Sequence, residues 1–332
     1  MNVLITGATG AVGPCVVQAL QTTGHVVRTF SLDRPPGGVT ALGSGVEMRI
    51  GDITDPLAVQ SAMQGIDAVV HLAALLHIVN PPAELRGKYE KINVGGTAAV
   101  VDAALKADVR RVVLASTIAV YGPSNGRILN ENSPACPETF YAQTKLAAEK
   151  IVLNARRADG QPIGTILRFG AVYGAGIKGN YQRLLRSLSR GRFVPIGAGQ
   201  NRRTLIYGKD LARAVVLATQ HPAAVGKIFN VTDGRFHVLD EIITAISEAL
   251  GRRPPRFAIP IGPARIAAGI IEDVMRLIGC QSFLGRTTID KYTEDIAVEG
   301  RRIQAELGFA PQYDLSSGWR ETVMEMQKTG EI

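Results

Sequence analysis

The chain opens on an apolar run, Asn2–Ile5, followed by a cluster of glycines and then by apolar residues at helical spacing over Pro14–Gln21, closed by Gly24. That alternation repeats. Short apolar runs at Val26–Ser31, Val46–Ile50, Ala68–Leu72, Arg111–Ser116 and Gly164–Arg168 predict strands, and Leu57–Met63, Lys88–Ala107 and Phe140–Arg157 predict the helices among them. Val112-Val113-Leu114-Ala115 is apolar without alternation, which suits a strand covered on both faces. Strands alternating with helices predict βαβ units and an α/β fold, a doubly wound parallel sheet of Rossmann type.

After Gly174 the pattern loosens. Tyr181–Ser189 and Leu239–Leu250 read as helices and Lys227–Val231 as one more strand, with Arg252-Arg253-Pro254-Pro255 as a breaker. The reading divides the chain into a first domain, 1–175 joined by about 205–232, and a smaller mixed lobe from 176–204 and 233–332. In the lobe, Ile266, Ile270, Ile271, Val274, Leu277 and Ile278 recur at helical spacing within Pro263–Gly279. They predict a helix packed on the core or on a partner, in preference to one lying on a membrane.

Composition narrows the class. The chain has 332 residues, 46% apolar and 20% charged, an ordinary globular balance. No segment approaches the roughly 18 consecutive apolar residues of a membrane span. The N-terminus shows no basic stretch, apolar run and cleavage site in order, so a cytoplasmic protein is expected. Cys15, Cys136 and Cys280 are scattered, and the five histidines have no ligand spacing, which predicts neither a disulfide framework nor a metal site. The net charge of +8 favours anionic partners, but the arginine pairs are dispersed and aromatic residues make up only 5%. A small anionic substrate therefore fits better than nucleic acid.

Thr6-Gly7-Ala8-Thr9-Gly10-Ala11-Val12-Gly13 lies between the first strand and the first helix. Glycines let backbone approach a pyrophosphate, and the helix N-terminus offers it free N–H groups; Pro14 in the first turn costs no hydrogen bond. Candidate dinucleotide contacts are Gly7, Thr9, Gly10, Ala11, Val12 and Gly13. Tyr141 has a lysine, Lys145, four residues on, which on a helix shares its face. An ammonium there is expected to lower the tyrosine pKa towards neutrality, so that Tyr141 can move a proton as an alcohol and a ketone interconvert. The fifth strand ends on two hydroxyls, Ser116 and Thr117; a hydroxyl there can orient a substrate oxygen or simply satisfy the strand end.

The G-x-x-G-x-x-G spacing, with Tyr141-x-x-x-Lys145 downstream, resembles the short-chain dehydrogenase/reductase superfamily. Further landmarks follow in order: Gly51-Asp52-Ile53, His71-Leu72-Ala73-Ala74, Asn93 within Ile92–Thr97, and Ala119-Val120-Tyr121-Gly122. The resemblance runs along nearly the whole chain and points to the extended branch of nucleotide-sugar epimerases and dehydratases, including UDP-galactose 4-epimerase. It implies cofactor contacts from Asp52, Ile53, Leu72, Ala73, Ala74, Asn93, Tyr141, Lys145, Phe169 and Val172. It implies substrate contacts from Thr117, Tyr141, Asn180 and Arg203, with Arg286 as a second phosphate contact.

At the end of the second strand Ser31 stands where many such epimerases carry an acid, with Asp33 and Arg34 just beyond. Asp33 favours NAD, whereas Ser31 with Arg34 suits NADP; NAD is the cofactor expected, with NADP as the alternative. Activities that stay open are 4-epimerisation of a nucleotide sugar, probed by a UDP-hexose; net reduction or oxidation of a keto-sugar, steroid or other carbonyl; and non-catalytic cofactor sensing. The Asp-Glu pair wanted for dehydration after Thr117 is replaced by Ile118-Ala119. The resemblance also implies a homodimer through Lys88–Ala107 and Phe140–Arg157, with Ala98, Val101, Ala104 and Leu105 facing the partner.

Overall fold

The first apolar run forms β1 (Asn2–Thr6), and its side chains alternate between two layers: Val3 and Ile5 enter one hydrophobic cluster, Leu4 another. The computed structural model describes residues 1–35, 42–76, 84–277 and 285–332. In chain order the strands that follow are β2 (Val26–Ser31), β3 (Glu47–Ile50), β4 (Ala68–His71), β5 (Arg111–Thr117), β6 (Gly164–Phe169), β7 (Ala171–Tyr173), β8 (Arg202–Arg203), β9 (Leu205–Tyr207), β10 (Ile228–Val231) and β11 (His237–Val238). Seven of them make one parallel sheet in the order β3-β2-β1-β4-β5-β6-β10. The order reverses at β1, so the chain is wound in both directions from the middle of the sheet, as the alternating pattern predicts.

Helices cover both faces. On one side α1 (Gly13–Thr22) supplies Val16, Val17 and Leu20 to the core. On the other, α2 (Pro56–Ala62) supplies Val59. The next helix has three parts: α3 (Leu85–Tyr89), a π-helical stretch Glu90–Gly95, and α4 (Gly96–Lys106). It lies with α5 (Phe140–Asn154) on the α2 side, where Val100, Ala104, Ala148 and Val152 are buried together.

Beyond β7, the chain forms α6 (Asn180–Ser189), α7 (Gly208–Gln220), α8 (Leu239–Ala249), α9 (Ile261–Leu277), α10 (Arg286–Thr293), α11 (Arg301–Leu307) and α12 (Leu315–Lys328). α7 is a helix that periodicity did not single out. Leu211, Ala212, Ala214, Val215, Val216 and Ala218 are all buried on the α1 side, so its apolar positions run nearly without a break. A separate cluster gathers α6, α8 and α12 around Trp319, which stacks on Tyr173 at 4.4 Å between centroids. Ile303 and Leu307 of α11 return to the core of the main sheet.

Two expectations are corrected by the packing. Val101 and Ala104, expected to face a partner, are buried in the monomer core, because α4 turns that face to α2 and the sheet; Ala98 is the exposed member of that set. The helix Ile261–Leu277 does not pack its apolar face on the core: Ile266, Ile270, Ile271 and Val274 are all exposed. Gly279 and Cys280 lie outside the described residues.

Candidate active site

The loops that follow β1, β4, β5 and β6 meet at the C-terminal edge of the sheet, beside the point where strand order reverses. Hydrogen bonds from Gly10 N to Gly7 O (3.0 Å) and from Gly13 N to Gly10 O (3.1 Å) shape the glycine turn, and Gly7 N donates to Phe30 O in β2 at 2.9 Å. Gly7 has φ +72°, and a Cβ there would stand 2.7 Å from the backbone of Ala73, so the β1 and β4 loops can approach only across a glycine. A Cβ on Gly13 would collide with the Ala8 carbonyl. Gly10 is exposed, Thr9, Ala11 and Val12 are half-buried, and α1 starts with no side-chain cap and with Pro14 in its first turn. No side chain therefore competes with a ligand for the positive end of α1.

Ser31 is buried at the end of β2, and its hydroxyl has no partner among the described residues. Asp33 and Arg34 follow it, both exposed. Asp52 is exposed, and its carboxylate accepts from Thr54 N at 2.8 Å. Ile53 is buried in the layer beneath. An open cradle of glycines, an unpaired hydroxyl at the second strand end and an exposed acid beside the third together fit a dinucleotide.

Asn93 ties the site together. Its Oδ1 accepts from Leu75 N at 2.7 Å, and its Nδ2 donates to Leu75 O at 3.2 Å and to Thr144 Oγ1 at 3.1 Å. It thus anchors the loop carrying Leu72, Ala73 and Ala74 to α5. Behind that loop His71 is fully buried, with Nδ1 2.6 Å from Thr6 Oγ1 and Nε2 3.0 Å from Thr97 Oγ1. Thr97 gives its own proton to Asn93 O at 2.6 Å, so His71 Nε2 is the donor to Thr97 and Nδ1 accepts from Thr6. Burial, with the Lys145 charge second, pushes His71 down to about 3, and the imidazole is neutral.

Thr139 caps α5 by accepting from Ala142 N at 3.2 Å, which places Tyr141 in the first turn. The Tyr141 ring is half-buried, edge-on to Tyr89 at 6.4 Å; Tyr89 is anchored by its hydroxyl to Leu76 O at 2.8 Å. Lys145 is buried one turn on. Burial pushes Lys145 down to about 8, against the opposing pull of Glu149. The expected lowering of Tyr141 is not met: burial, then Tyr89, pushes it up to about 12. Loss of solvent around a phenolate outweighs a lysine that is itself poorly solvated.

Thr117 Oγ1 accepts from Ala119 N at 3.1 Å, capping the short helical turn Ile118–Tyr121 and leaving its own proton to donate. Ser116 does not share that setting. It is buried, and its hydroxyl bonds Glu149 Oε1 at 2.5 Å. Glu149 in turn holds Arg168, which stacks over Tyr121 at 4.7 Å. Glu149 and Arg168 form a group that sequence spacing left unassigned, although a lone arginine inside the apolar strand Gly164–Phe169 is a signal of a buried pair. Phe169 is buried and Val172 half-buried at the end of β6 and in β7.

The distal contacts divide. Asn180 is exposed at the start of α6. Arg203 donates to Lys291 O at 2.9 Å and Tyr292 O at 2.7 Å, so part of its fork closes the end of α10. Arg286, the expected second phosphate contact, pairs its guanidinium with Asp273 at 2.7 Å, and its backbone N–H donates to Glu272 at 3.0 Å. Those carboxylates belong to α9, and nothing in the local spacing announced them. Glu294, half-buried beside Arg203 and within the field of Glu138 just before α5, is pushed up by burial. It is a charged wall that sequence reasoning missed. Among the described residues no cluster of potential metal ligands occurs, and no helix is long and apolar enough to cross a membrane.

Known proteins resemble this chain in sequence and fold. A solved structure of MoeE5 in complex with UDP-glucose and NAD superposes with TM-score 0.79, at 26% identity over 99% of both chains. UDP-glucose 4-epimerase of Vibrio cholerae is 26% identical over 97% of this chain and 94% of its own. A 3 beta-hydroxysteroid dehydrogenase/Delta 5-->4-isomerase of Mycobacterium tuberculosis is 30% identical over 79% of this chain and 73% of its own. Residues 3–232 match the model of one family, and that span holds the glycine turn, Asn93, Thr117, Tyr141, Lys145 and the strand bearing Arg168. By sequence and by fold, the chain belongs to the NAD dependent epimerase/dehydratase family.

Proposed function

We propose that the protein is a nucleotide-sugar 4-epimerase, acting on a UDP-hexose by transient oxidation at C4. The observation that carries this reading is the pairing of a half-buried Tyr141 with a buried Lys145 on one face of α5, close to a glycine cradle that a side chain would block. The UDP-glucose 4-epimerase relative and the UDP-glucose complex of MoeE5 support the substrate class.

The cofactor proposed is NAD, held at its pyrophosphate by Gly7, Thr9, Gly10, Ala11, Val12 and Gly13, and along its length by Ser31, Asp33, Asp52, Ile53, Ala73, Ala74 and Val172. When bound, it supplies the hydride acceptor and donor for the carbon bearing the reacting oxygen. The chain's own part is the proton. Tyr141 Oη takes the C4 hydroxyl proton when that carbon is oxidised and returns it to the ketone oxygen when the carbon is reduced, so the proton balances over the cycle. In between it is the phenol, the form that burial favours by pushing it up to about 12. Lys145 restrains the phenolate that stands before and after the keto stage, and Thr117 fixes the oxygen by a second hydrogen bond. Arg203 keeps a role at the diphosphate through the guanidinium edge not used by α10. In this reading residues 1–175 with about 205–232 hold the cofactor, and 176–204 with 233–332 hold the sugar nucleotide. A homodimer through α4 and α5 is also proposed, with Ala98 and Leu105 rather than Val101 and Ala104 at the contact.

The test is incubation of the purified protein, with no cofactor added, with a panel of UDP-hexoses and UDP-N-acetylhexosamines. Formation of the C4 epimer with no net redox change is the expected result. A second reading, an NADP-dependent reductase or dehydrogenase of a carbonyl compound, draws on the 30% identity to the steroid dehydrogenase. Oxidation of added NADPH by a keto-sugar or steroid ketone without epimer formation would move the assignment there.

A further inference from the structure

α9 is amphipathic in the opposite sense from a core helix. Among its described residues the buried ones are the small Ala268 and Gly269, with Gly269 against the Arg286 guanidinium, and at the surface beside them Arg265 pairs with Asp290 at 2.8 Å and Asp273 with Arg286 at 2.7 Å. Its other side carries Ile266, 67% exposed, Ile270, 59% exposed, and Val274, 51% exposed, one turn apart in a row, with Ile271 beside them. None of the described residues covers that row. A solvent-facing stripe of branched aliphatic side chains is costly in water.

The apolar surface continues from the helix start. Phe257 is 85% exposed on the segment leading into α9, and Ile259 of that segment pairs with Ile196 of another, since Ile259 N donates to Pro195 O at 2.9 Å and Gly197 N donates to Ile259 O at 2.8 Å. The same two segments carry exposed arginines: Arg190 and Arg192 on one, Arg252, Arg253 and Arg256 on the other, with Gly191 close to the Arg252 guanidinium. No acidic residue occurs between Asp159 and Asp210, nor between Glu248 and Glu272. Arg186, at the far end, is already held by Glu331.

We infer that this face docks on an anionic lipid surface, with Ile266, Ile270, Val274 and Phe257 entering the headgroup–acyl boundary and the arginines meeting lipid phosphates. Aliphatic residues on one helix face with cations beside them match an interfacial helix. A second copy of the chain fits less well. A twofold contact through this patch would bring two arginine clusters together with no carboxylate from either segment between them. Docking concerns this face alone and holds whichever reaction the active site performs.

The experiment is co-sedimentation of the full chain, without substrate, with vesicles of phosphatidylcholine alone and with about a third phosphatidylglycerol added. Binding is expected to the anionic vesicles only and to weaken as salt rises. Ile266→Asp/Ile270→Asp is expected to lower the partition coefficient by about tenfold or more. Arg252→Glu/Arg253→Glu is expected to lower it by about fivefold per arginine and to flatten its salt dependence. These side chains are exposed, so the thermal midpoint should not move; if the apolar variant does not fold, the arginine variant carries the test. Failure of the wild type to bind anionic vesicles at low salt overturns the inference. So does equal binding by both variants, or a solution dimer that Ile266→Asp/Ile270→Asp dissociates while vesicle binding is absent.

Discussion

The Glu149 carboxylate and the Arg168 guanidinium meet as a two-pronged ion pair, at 2.6 Å and 3.0 Å, with both side chains almost entirely out of water. Neighbouring β5 supplies the Ser116 hydroxyl to the same carboxylate, in register opposite Arg168. The pair lies one helical turn from Lys145 and bears on its charge.

Glu149→Gln therefore strands Arg168 as a buried, uncompensated cation. A loss of about 3–5 kcal/mol in folding stability is expected, read from urea unfolding at neutral pH. A loss below about 1 kcal/mol would mean that water reaches Arg168 and that the pair is not sealed.

Tyr141→Phe removes the proton and keeps the ring against Tyr89. Turnover should fall by about 10²–10⁴-fold while NAD affinity, followed by titration, changes little. Retained turnover would exclude the phenol as the proton-transfer group.

Lys145 and His71 are both held below their ordinary values, and the two act on opposite sides of neutrality. Lys145 has a folded value of about 8 against an ordinary 10.5, so at neutral pH its charge is borne at a cost. Stability should rise as pH goes from about 8 to 10.5, because the unfolded chain then holds a proton that the fold releases. Lys145→Met should be more stable than wild type at pH 7 by on the order of 2 kcal/mol, with the gap closing towards pH 10.5. Turnover should be lost.

His71, at about 3 against an ordinary 6.5, is neutral in the fold. Its contribution is complete above about pH 6.5 and drains away as acid protonates the unfolded imidazole, by about 2 kcal/mol on reaching pH 5. Urea midpoints of wild type and His71→Gln from pH 7.5 to pH 5 should show a shallower acid slope in the variant. Parallel slopes would place the acid sensitivity elsewhere.

Gly7→Ala puts a methyl group into the backbone of Ala73 at a left-handed φ. A loss of about 1–3 kcal/mol in stability and a weakening of NAD binding by about tenfold are expected. Normal NAD affinity in the folded variant would show that the β1 and β4 loops part without harm to the cofactor site.

What the sequence made legible follows from how locally each feature is encoded. The central strand β5 declared itself because a stretch buried on both faces has no polar positions, as at Val112–Leu114. The glycine turn and the shared helix face of Tyr141 and Lys145 were readable because turn and helix geometry fix their spacing within a few residues. The ion pair of Arg286 was not, since its partner sits across a contact between α9 and α10 that no short spacing encodes. The orientation of α9 was hidden for a related reason: helical periodicity marks an apolar stripe but not whether it faces the protein. Nor did the four-residue rule reveal that burial would raise Tyr141, because desolvation depends on everything packed around the ring.

One wide helical turn sets the geometry of the active site. Asn93 sits in the π-helical stretch Glu90–Gly95, between Tyr89 and Thr97. A π turn holds one residue more than an α turn, equivalent to a single insertion absorbed within the helix. Because the wide turn absorbs the extra residue, Tyr89 before it and Thr97 after it keep their own faces, and Asn93 is the residue displaced towards Leu75 and Thr144. Deleting one residue here would restore an ordinary turn, leaving Tyr89 and Thr97 near their present places while Asn93 drew back. The stretch works as a spacer, and a chain one residue shorter at this place would lose the clamp that ties the Leu75 loop to α5.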